Sequence, residues 1–579
     1  MTKELIVKNE KVDDIPLLLA QMERMKIQES LDKTFPTHGH WKGLSLGHVT
    51  VIWLAHILSE GDHCLNHVQD WAEQHIETLK QCTEQEVRTL DFTDDRLADI
   101  LRILSDSEKW SAFQKTMAKN VARVYDLETK QVRLDSTTIS GYWEITPDGF
   151  FRLGHSKNHR PDLPQIKIML STLDPLGLPI VTQPVSGNKA DDPLYIPAIK
   201  KVRNTLDRRG LTYIGDCKMA AQQTRAFVAY GRDFYLCPMP ELQISQEEVR
   251  SYLAEFYASG QALIPVHREN NKREQELIAQ GFEVEKEITV CLDNHPHTWT
   301  ERHLVIQSLA LAQSARDSLQ TKISKAQDAL VTINRRGRGR KSFPCVEPLH
   351  NAVDAILKRY HVQGLFSLQF EEVIEQIPVR QYGEHPATTR EKRDFKVYAH
   401  LNEMALQARH QQLGWRVYAS NQSKEQLSLS QAVLAYRNEY IIEQGFGRLK
   451  GRSLSISPMY LERPDHATGM IYLLSIALSI LTLFEFVVCQ SLQKKQSTIA
   501  GLYAGNPKRT TAHPSSEHLF EAFQNIFLTV FCNDGQVYYH ITPLSPLQEE
   551  ILLLSGTSFD VYNDLFPNSS EPVFNLSER

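Results

Sequence analysis

The sequence contains no Cys-x-x-Cys pair. Its eight cysteines (Cys64, Cys82, Cys217, Cys237, Cys291, Cys345, Cys489 and Cys532) are scattered through 579 residues. That argues against a zinc ribbon and against a disulfide framework. The first ten residues, MTKELIVKNE, are charged and lack an apolar core, so no signal peptide is read there. There is no excess of cations: 64 Lys and Arg face 70 Asp and Glu, a net charge of −6. Overall charge therefore does not announce a nucleic-acid binder. Residues 1–130 hold 16 cations against 22 anions, and the remainder balances at 48 and 48, so any basic patch must be local. No internal repeat is visible. One run, Ala467–Phe484, has 18 residues without a charge, close to membrane-span length. Ser475, Ser479 and Thr482 punctuate it and Glu485 ends it, which favours a buried helix of a large core. The expectation is a cytoplasmic protein with no membrane partner.

The composition is that of an ordinary globular protein, 41% hydrophobic and 23% charged, long enough for several lobes. Residues 1–125 read as an all-α N-terminal domain. Helices are expected at Asp14–Ser30, at Ser45–Glu60 closed by Gly61, from Thr93 to Leu104, and at Ser107–Tyr125. The pattern changes near 130. Gln131–Leu134, Gln165–Leu173 and Leu178–Val185 read as strands, the last two separated by a Pro-Leu-Gly turn. A helix at Pro193–Arg208, a strand at Leu211–Gly215, a helix at Ala220–Tyr230 and a strand at Phe234–Cys237 follow. The order β-β-β-α-β-α-β implies a mixed sheet with helices on both faces. Residues 238–412 mix helices and strands and look like an insertion that splits one α/β core. The core then has a first part at 126–237 and a second at 413–500, followed by a C-terminal region, 501–579, with a disordered tail. Gln431–Arg452 and Met470–Val488 read as helices of the second part.

Asp135 and Asp216 occupy equivalent contexts, each after an apolar strand and before small or hydroxylated residues. Carboxylates on neighbouring strands can converge and share divalent cations, and Mg²⁺ prefers oxygen ligands. The plain alternative is that Asp135 caps a turn and Asp216 caps the following helix. On the 431–452 helix, Tyr436, Glu439, Glu443, Gly447 and Lys450 fall within about 40° of one line. That face carries an aromatic ring, two acids and a cation. It is either part of a metal site or a solvated helix face.

Together and in order, LDSTT (134–138), GHSKNHRPD (154–162), VSGNKADD (185–192), YIGDCKMAA (213–221) and YRNEYIIEQGFGRLKGR (436–452) resemble a family. The chain looks like a bacterial insertion-sequence DDE transposase of the insertion-sequence-four superfamily, closest to the sixteen-thirty-four-like group. The resemblance implies a ribonuclease-H-like core split by a large insertion domain. It implies Asp135, Asp216 and Glu443 as catalytic and metal-binding triad, with Mg²⁺ as cofactor and Mn²⁺ able to substitute. The activity implied is cleavage at the ends of an insertion sequence and strand transfer to target DNA by two-metal-ion phosphoryl transfer. Double-stranded DNA (terminal inverted repeats and target) and a homodimer in the synaptic complex follow as partners, with the nucleoid as place of work. The family's helix signature is matched by Tyr436, Glu443 and Lys450, but Glu439 stands where the family has an Arg for a DNA phosphate. That departure motivates a second reading, a catalytically decayed, transposase-derived DNA-binding protein. A structure-specific nuclease on the same core is a third.

Three local basic clusters suit a duplex crossing the core. Arg335, Arg336, Arg338, Arg340 and Lys341 lie within seven residues, interleaved with glycine. Lys157, His159 and Arg160 follow Asp135, and Arg448, Lys450 and Arg452 follow Glu443. Tyr436 joins them as a DNA contact through the family signature. Trp299 reads as a core residue more readily than as a stacking platform. Asp191 and Asp192 read as residues leading into the Pro193 helix. His155 and His159 are four apart but lie in a loop, so no zinc is assigned.

Overall fold

The computed structural model describes residues 6–146, 149–157, 160–269, 274–292, 294–336, 341–379, 388–533 and 536–565. The tail expected to be disordered lies outside these residues from 566 onward. The chain divides into two compact units. One comprises Met1–Cys237, Thr289–Trp299 and Ala435–Arg579, and the other Pro238–Ile288 and Thr300–Leu434.

The N-terminal region is not wholly helical. Its first element is a strand, β1 (Ile6–Lys11), which pairs antiparallel with Phe527–Asn533, itself paired with Gln536–Ile541. The sequence conceals β1 because it is short and polar and its partner lies more than five hundred residues away. The expected Asp14–Ser30 helix is two helices, Ile15–Arg24 and Ile27–Thr34, broken where Lys26 takes a left-handed conformation at φ +58°. The next helix, Leu46–Glu60, starts as expected, with the Ser45 hydroxyl accepting from the His48 amide. It ends at Gly61, whose φ of +66° a residue with a Cβ rarely adopts.

The mixed sheet of the first unit runs in the order β4-β3-β2-β5-β6. Its strands are β2 (Gln131–Ser140), β3 (Gln165–Asp174), β4 (Leu178–Ser186), β5 (Thr212–Gly215) and β6 (Phe234–Pro238). β2, β3 and β4 form an antiparallel meander, and β5 and β6 add in parallel to β2. β3 is buried along its whole length. The turn from β3 to β4 depends on Gly177, at φ +74°. The helix Pro464–Lys495 contains the long apolar run, and its residues from Ala467 to Leu492 are largely buried. It packs against β4 and the helix Asp94–Leu104, and one hydrophobic core joins it to the N-terminal helices and to Ile166, Ile168 and Leu170 of β3. Water is excluded from a single core built by both ends of the chain.

Asp14 is buried in that core and accepts a hydrogen bond from the Ser59 hydroxyl at 2.6 Å. Burial pushes its carboxyl up to about 7, with the Ser59 hydrogen bond pulling the other way. A carboxyl whose folded pKa exceeds its unfolded value costs stability as pH rises from about 4 to about 7, and the cost persists above that. Asp14→Asn is therefore expected to raise stability at pH 8 by about 1–2 kcal/mol and to change little at pH 4. Urea denaturation at the two pH values checks this.

In the second unit, Ile264–Glu269 pairs with Gln275–Gly281, and Trp415–Ser420 pairs antiparallel with Arg302–Gln307. The latter pairing carries this unit on to Leu434, past the limit of 412 expected for an insertion. Phe366–Val379 and Thr388–Leu401 form a long two-stranded ribbon. The helices Leu309–Ile333 and Val346–Arg359 cover one end of that ribbon through Leu330, Val353, Phe366 and Val397.

Candidate active site

β2 and β5 lie side by side in parallel, with Leu134 opposite Gly215. The next residue on each strand is an aspartate, Asp135 and Asp216, on strands about 4.8 Å apart. Asp135 is not at a strand end, as expected, since β2 continues to Ser140. It sits where pairing with the shorter β5 stops, so β2 runs on beyond it without β5 alongside. Both aspartates are half-buried.

Each carboxylate is held. Asp216 Oδ1 accepts from the Tyr195 hydroxyl at 2.6 Å and from the Lys218 amide at 2.9 Å. Tyr195 is buried at the start of the helix Tyr195–Leu206, and burial followed by the charge of Asp216 keeps its hydroxyl protonated well above the ordinary range. Asp135 Oδ1 accepts from the Ser136 amide at 2.7 Å and lies 3.4 Å from Lys157 Nζ. Burial pushes Asp135 up to about 6. Lys157 opposes that rise and the charge of Asp216 adds to it.

A second rank of residues supports β2. Lys157 Nζ also donates to the Ser136 carbonyl and, at 3.1 Å, to its hydroxyl. The Ser136 hydroxyl donates to Asp191 Oδ1 at 2.8 Å, and Lys167 Nζ reaches the same oxygen at 2.7 Å. Burial alone would raise Asp191, but these two hydrogen bonds hold it below the usual carboxylate range. Asp191 therefore serves the strand rather than the start of a helix. No spacing rule signals Asp191 or Tyr195, because their partners are 55 and 21 residues away.

The third wall is helical, but it is not the single helix expected at 431–452. Leu429–Arg437 and Tyr440–Lys450 are separate helices with a break at Asn438–Glu439. The turn interrupts the helix, yet Glu439 keeps helical dihedrals, Tyr436 hydrogen-bonds Glu439, and the Glu443 charge acts on it, so the three stay together across the break. The Tyr440–Lys450 helix packs against β2. Burial raises Glu439, the charges of Glu443 and Asp216 add to the rise, and the Tyr436 hydroxyl opposes it. At the other end, burial and then the charge of Lys157 push Lys450 down to about 8, while Asp135 pulls it up. The charge of Asp216 thus acts at Glu439, just before this helix, and that of Asp135 at Lys450, its last residue, while Glu443 is exposed. Glu443 projects from the helix that packs against β2, the strand of Asp135. Among the described residues, however, the ligand oxygens of Glu443 and the two aspartates do not all close to within 4.8 Å of one another. Carboxylates without a cation between them repel. The donors are all oxygen, which fits Mg²⁺ and does not suit a thiolate- or imidazole-seeking metal.

Arg133, two residues before Asp135, ties these walls together. Its guanidinium forks onto Asp174 at 3.0 and 3.1 Å and donates to the Ala435 carbonyl at 2.6 Å. Arg133 and Asp174 are both buried.

Several expected DNA contacts are occupied otherwise. Arg448 is buried and grips Glu517 at 2.9 and 3.0 Å, together with Glu485, because it projects from the side of its helix that faces the core. It is a structural cation, not a surface one. Arg336 pairs with Asp394 and donates to the Ile333 and Phe395 carbonyls, which fixes the end of a helix to a ribbon strand. Arg160 is exposed but forked onto Asp162, so its charge is locally cancelled. Tyr436 is half-buried and turned to Glu439. Arg335, Lys341 and Arg452 are exposed, while Arg338, Arg340 and His159 lie outside the described residues. The Trp299 indole donates to the Tyr235 hydroxyl at 2.9 Å, a packing role.

A family model described as transposase DDE domain matches residues 128–480. The chain is similar to a piggyBac transposase in a cryo-EM structure of a synaptic complex with hairpin DNA. That match has 8% identity and a TM-score of 0.34, covering 99% of this chain and 90% of the other. No curated protein matches.

Proposed function

Because the chain belongs to the transposase DDE-domain family, we propose that it cuts DNA at the ends of a bacterial insertion sequence and joins the freed ends to target DNA. The motif resemblance supports the insertion-sequence-four superfamily, and within it the sixteen-thirty-four-like group, as part of this proposal. The observation that carries the reading is the register of β2 and β5, which sets Asp135 beside Asp216 with the Glu443 helix alongside. Asp135, Asp216 and Glu443 are the catalytic carboxylates and would hold Mg²⁺, or Mn²⁺ in its place. When bound, such ions activate a water or a 3′-hydroxyl and stabilise the leaving oxygen of a phosphodiester.

The chain's own groups position that chemistry. Tyr195 occupies one oxygen of Asp216 and leaves the other for a cation. Lys157 and Lys450 place positive charge beside Asp135, where a scissile phosphate would lie. Terminal inverted repeats and target DNA are the substrates. Two ends must be cut together, so a homodimer is the working form, acting in the bacterial cytoplasm on the nucleoid.

Lys450 carries its charge below about pH 8. Affinity for a flanking-DNA duplex is thus expected to weaken about fivefold from pH 7 to pH 9, about 1 kcal/mol for one lost phosphate contact. Lys450→Met should flatten this dependence in a fluorescence-anisotropy titration.

The whole reading is tested by excision from the gene's native flanking DNA in Mg²⁺ and Mn²⁺. The wild type is expected to cut at the flanks, and Asp216→Asn and Glu443→Gln are expected to bind the same DNA without cutting. A wild type that binds and never cuts would favour the DNA-binding protein that Glu439 suggests, and cutting that never leads to joining would favour a nuclease.

A further inference from the structure

Away from the carboxylates of β2 and β5, the turn between the helices Leu46–Glu60 and Leu65–Gln74 brings together three side chains of different chemistry. Asp62 Oδ2 meets His67 Nδ1 at 2.5 Å, and Asp62 Oδ1 accepts from the Cys64 amide at 2.8 Å. Among the described residues, Asp62, Cys64 and His67 are the one set of three such side chains whose ligand atoms all lie within 4.8 Å of one another. Protons now hold them together: the imidazole is hydrogen-bonded to the carboxylate, and the thiol also bonds to Asp62. His63, between two of the three in sequence, provides a second observation. Its ring hydrogen-bonds the Leu454 backbone, and its Nδ1 is buried with no partner. A neutral imidazole that donates from Nε2 keeps a lone pair on Nδ1. A buried, unused nitrogen lone pair thus lies in the same turn.

We propose that Asp62, Cys64 and His67 bind a transition-metal dication of the Zn²⁺ type, with one nitrogen, one sulfur and one oxygen ligand. Such mixed donors suit Zn²⁺ and are wrong for Mg²⁺, so the site is distinct from the carboxylate site. Water completes the tetrahedron, since Asp62 and His67 are partly open to solvent. Binding displaces the thiol proton to solvent and breaks the Asp62–His67 hydrogen bond, while the neutral imidazole keeps its one proton on the ring nitrogen that does not bind the metal. The site's place suggests its role. A Cβ on Gly61 would lie 2.9 Å from the Arg452 carbonyl, so the turn is pressed against the segment that follows Lys450. The metal would fix this turn, and through His63 and Gly61 the end of the helix that carries Glu443 and Lys450.

Sequence spacing missed the site because Asp-x-Cys-x-x-His has no second cysteine. The test is a Co²⁺ titration of the full, reduced chain. One equivalent is expected to give a near-ultraviolet thiolate-to-cobalt charge-transfer band. That band should be lost in Cys64→Ser, kept in Asp135→Asn, and need at least about tenfold more Co²⁺ in Asp62→Ala and His67→Ala. Zn²⁺ should raise the wild-type melting temperature and leave that of Cys64→Ser unmoved. Circular dichroism of each variant separates loss of a ligand from loss of fold. A wild type with no band, or a band that survives in Cys64→Ser, overturns the proposal and leaves a hydrogen-bonded turn without a cation.

Discussion

Asp135→Asn is expected to lower strand cleavage at least about 10²–10³-fold, the scale on which removal of one preorganised charged or polar group from a reacting centre is felt. The same substitution should not harm the fold. Burial has pushed this carboxyl up to about 6, so the ionised form is the unfavourable one. Without metal, the native state holds a proton that the unfolded chain has released between about pH 4 and pH 6. Stability from this group therefore falls as pH rises through that window and stays reduced above it. Asn carries no charge, retains the oxygen that accepts the Ser136 amide, and should leave the protein about 1 kcal/mol more stable at pH 8. A variant that is more stable and far less active identifies a group kept for chemistry. Urea denaturation without metal, beside cleavage with Mg²⁺, measures both. An Asp135→Asn protein that cuts at the wild-type rate would remove Asp135 from the catalytic set.

Arg133→Met is expected to cost about 3–5 kcal/mol, because it breaks a buried ion pair by removing one partner and leaves the buried Asp174 without its guanidinium. Stability alone does not reveal why the pair is there, since buried ion pairs can often be replaced by apolar groups at little cost. The double substitution Arg133→Met with Asp174→Leu should recover much of the loss. It should still cut poorly, because the Ala435 carbonyl then has no guanidinium to receive. That bond joins the strand of Asp135 to the helix leading into Glu439 and Glu443. Recovery of both stability and cleavage in the double variant would show that the tie does not position the site.

Much of the core was legible because it is locally determined. The succession β2, β3, β4, helix, β5, helix, β6 follows from short β-branched runs and a Pro-Leu-Gly turn, each signalled within ten residues. Ser45 and Gly61 bound their helix because capping is decided by the residues at the ends. The break at Asn438–Glu439 was not legible. Tyr436, Glu439 and Glu443 keep helical spacing on both sides of it, and the bond from Arg133 that accompanies it comes from another strand. Arg448 shows the limit of counting cations. A guanidinium followed by Lys450 and Arg452 looks like a phosphate contact until Glu485 and Glu517 are seen to bury it.

By itself the sequence determined the periodicities and the order of elements, and it carried the motif blocks that name the family. Those properties depend on neighbours along the chain. The tertiary structure alone decided which charges are free and which are spent. It seated Asp135 beside Asp216, set Tyr195 and Asp191 behind them, buried Arg448, and folded Asp62, Cys64 and His67 into one turn. The reason is physical. A charged side chain acquires its role from the water it loses and the partner it gains, and both are fixed by packing between segments that sequence distance does not relate.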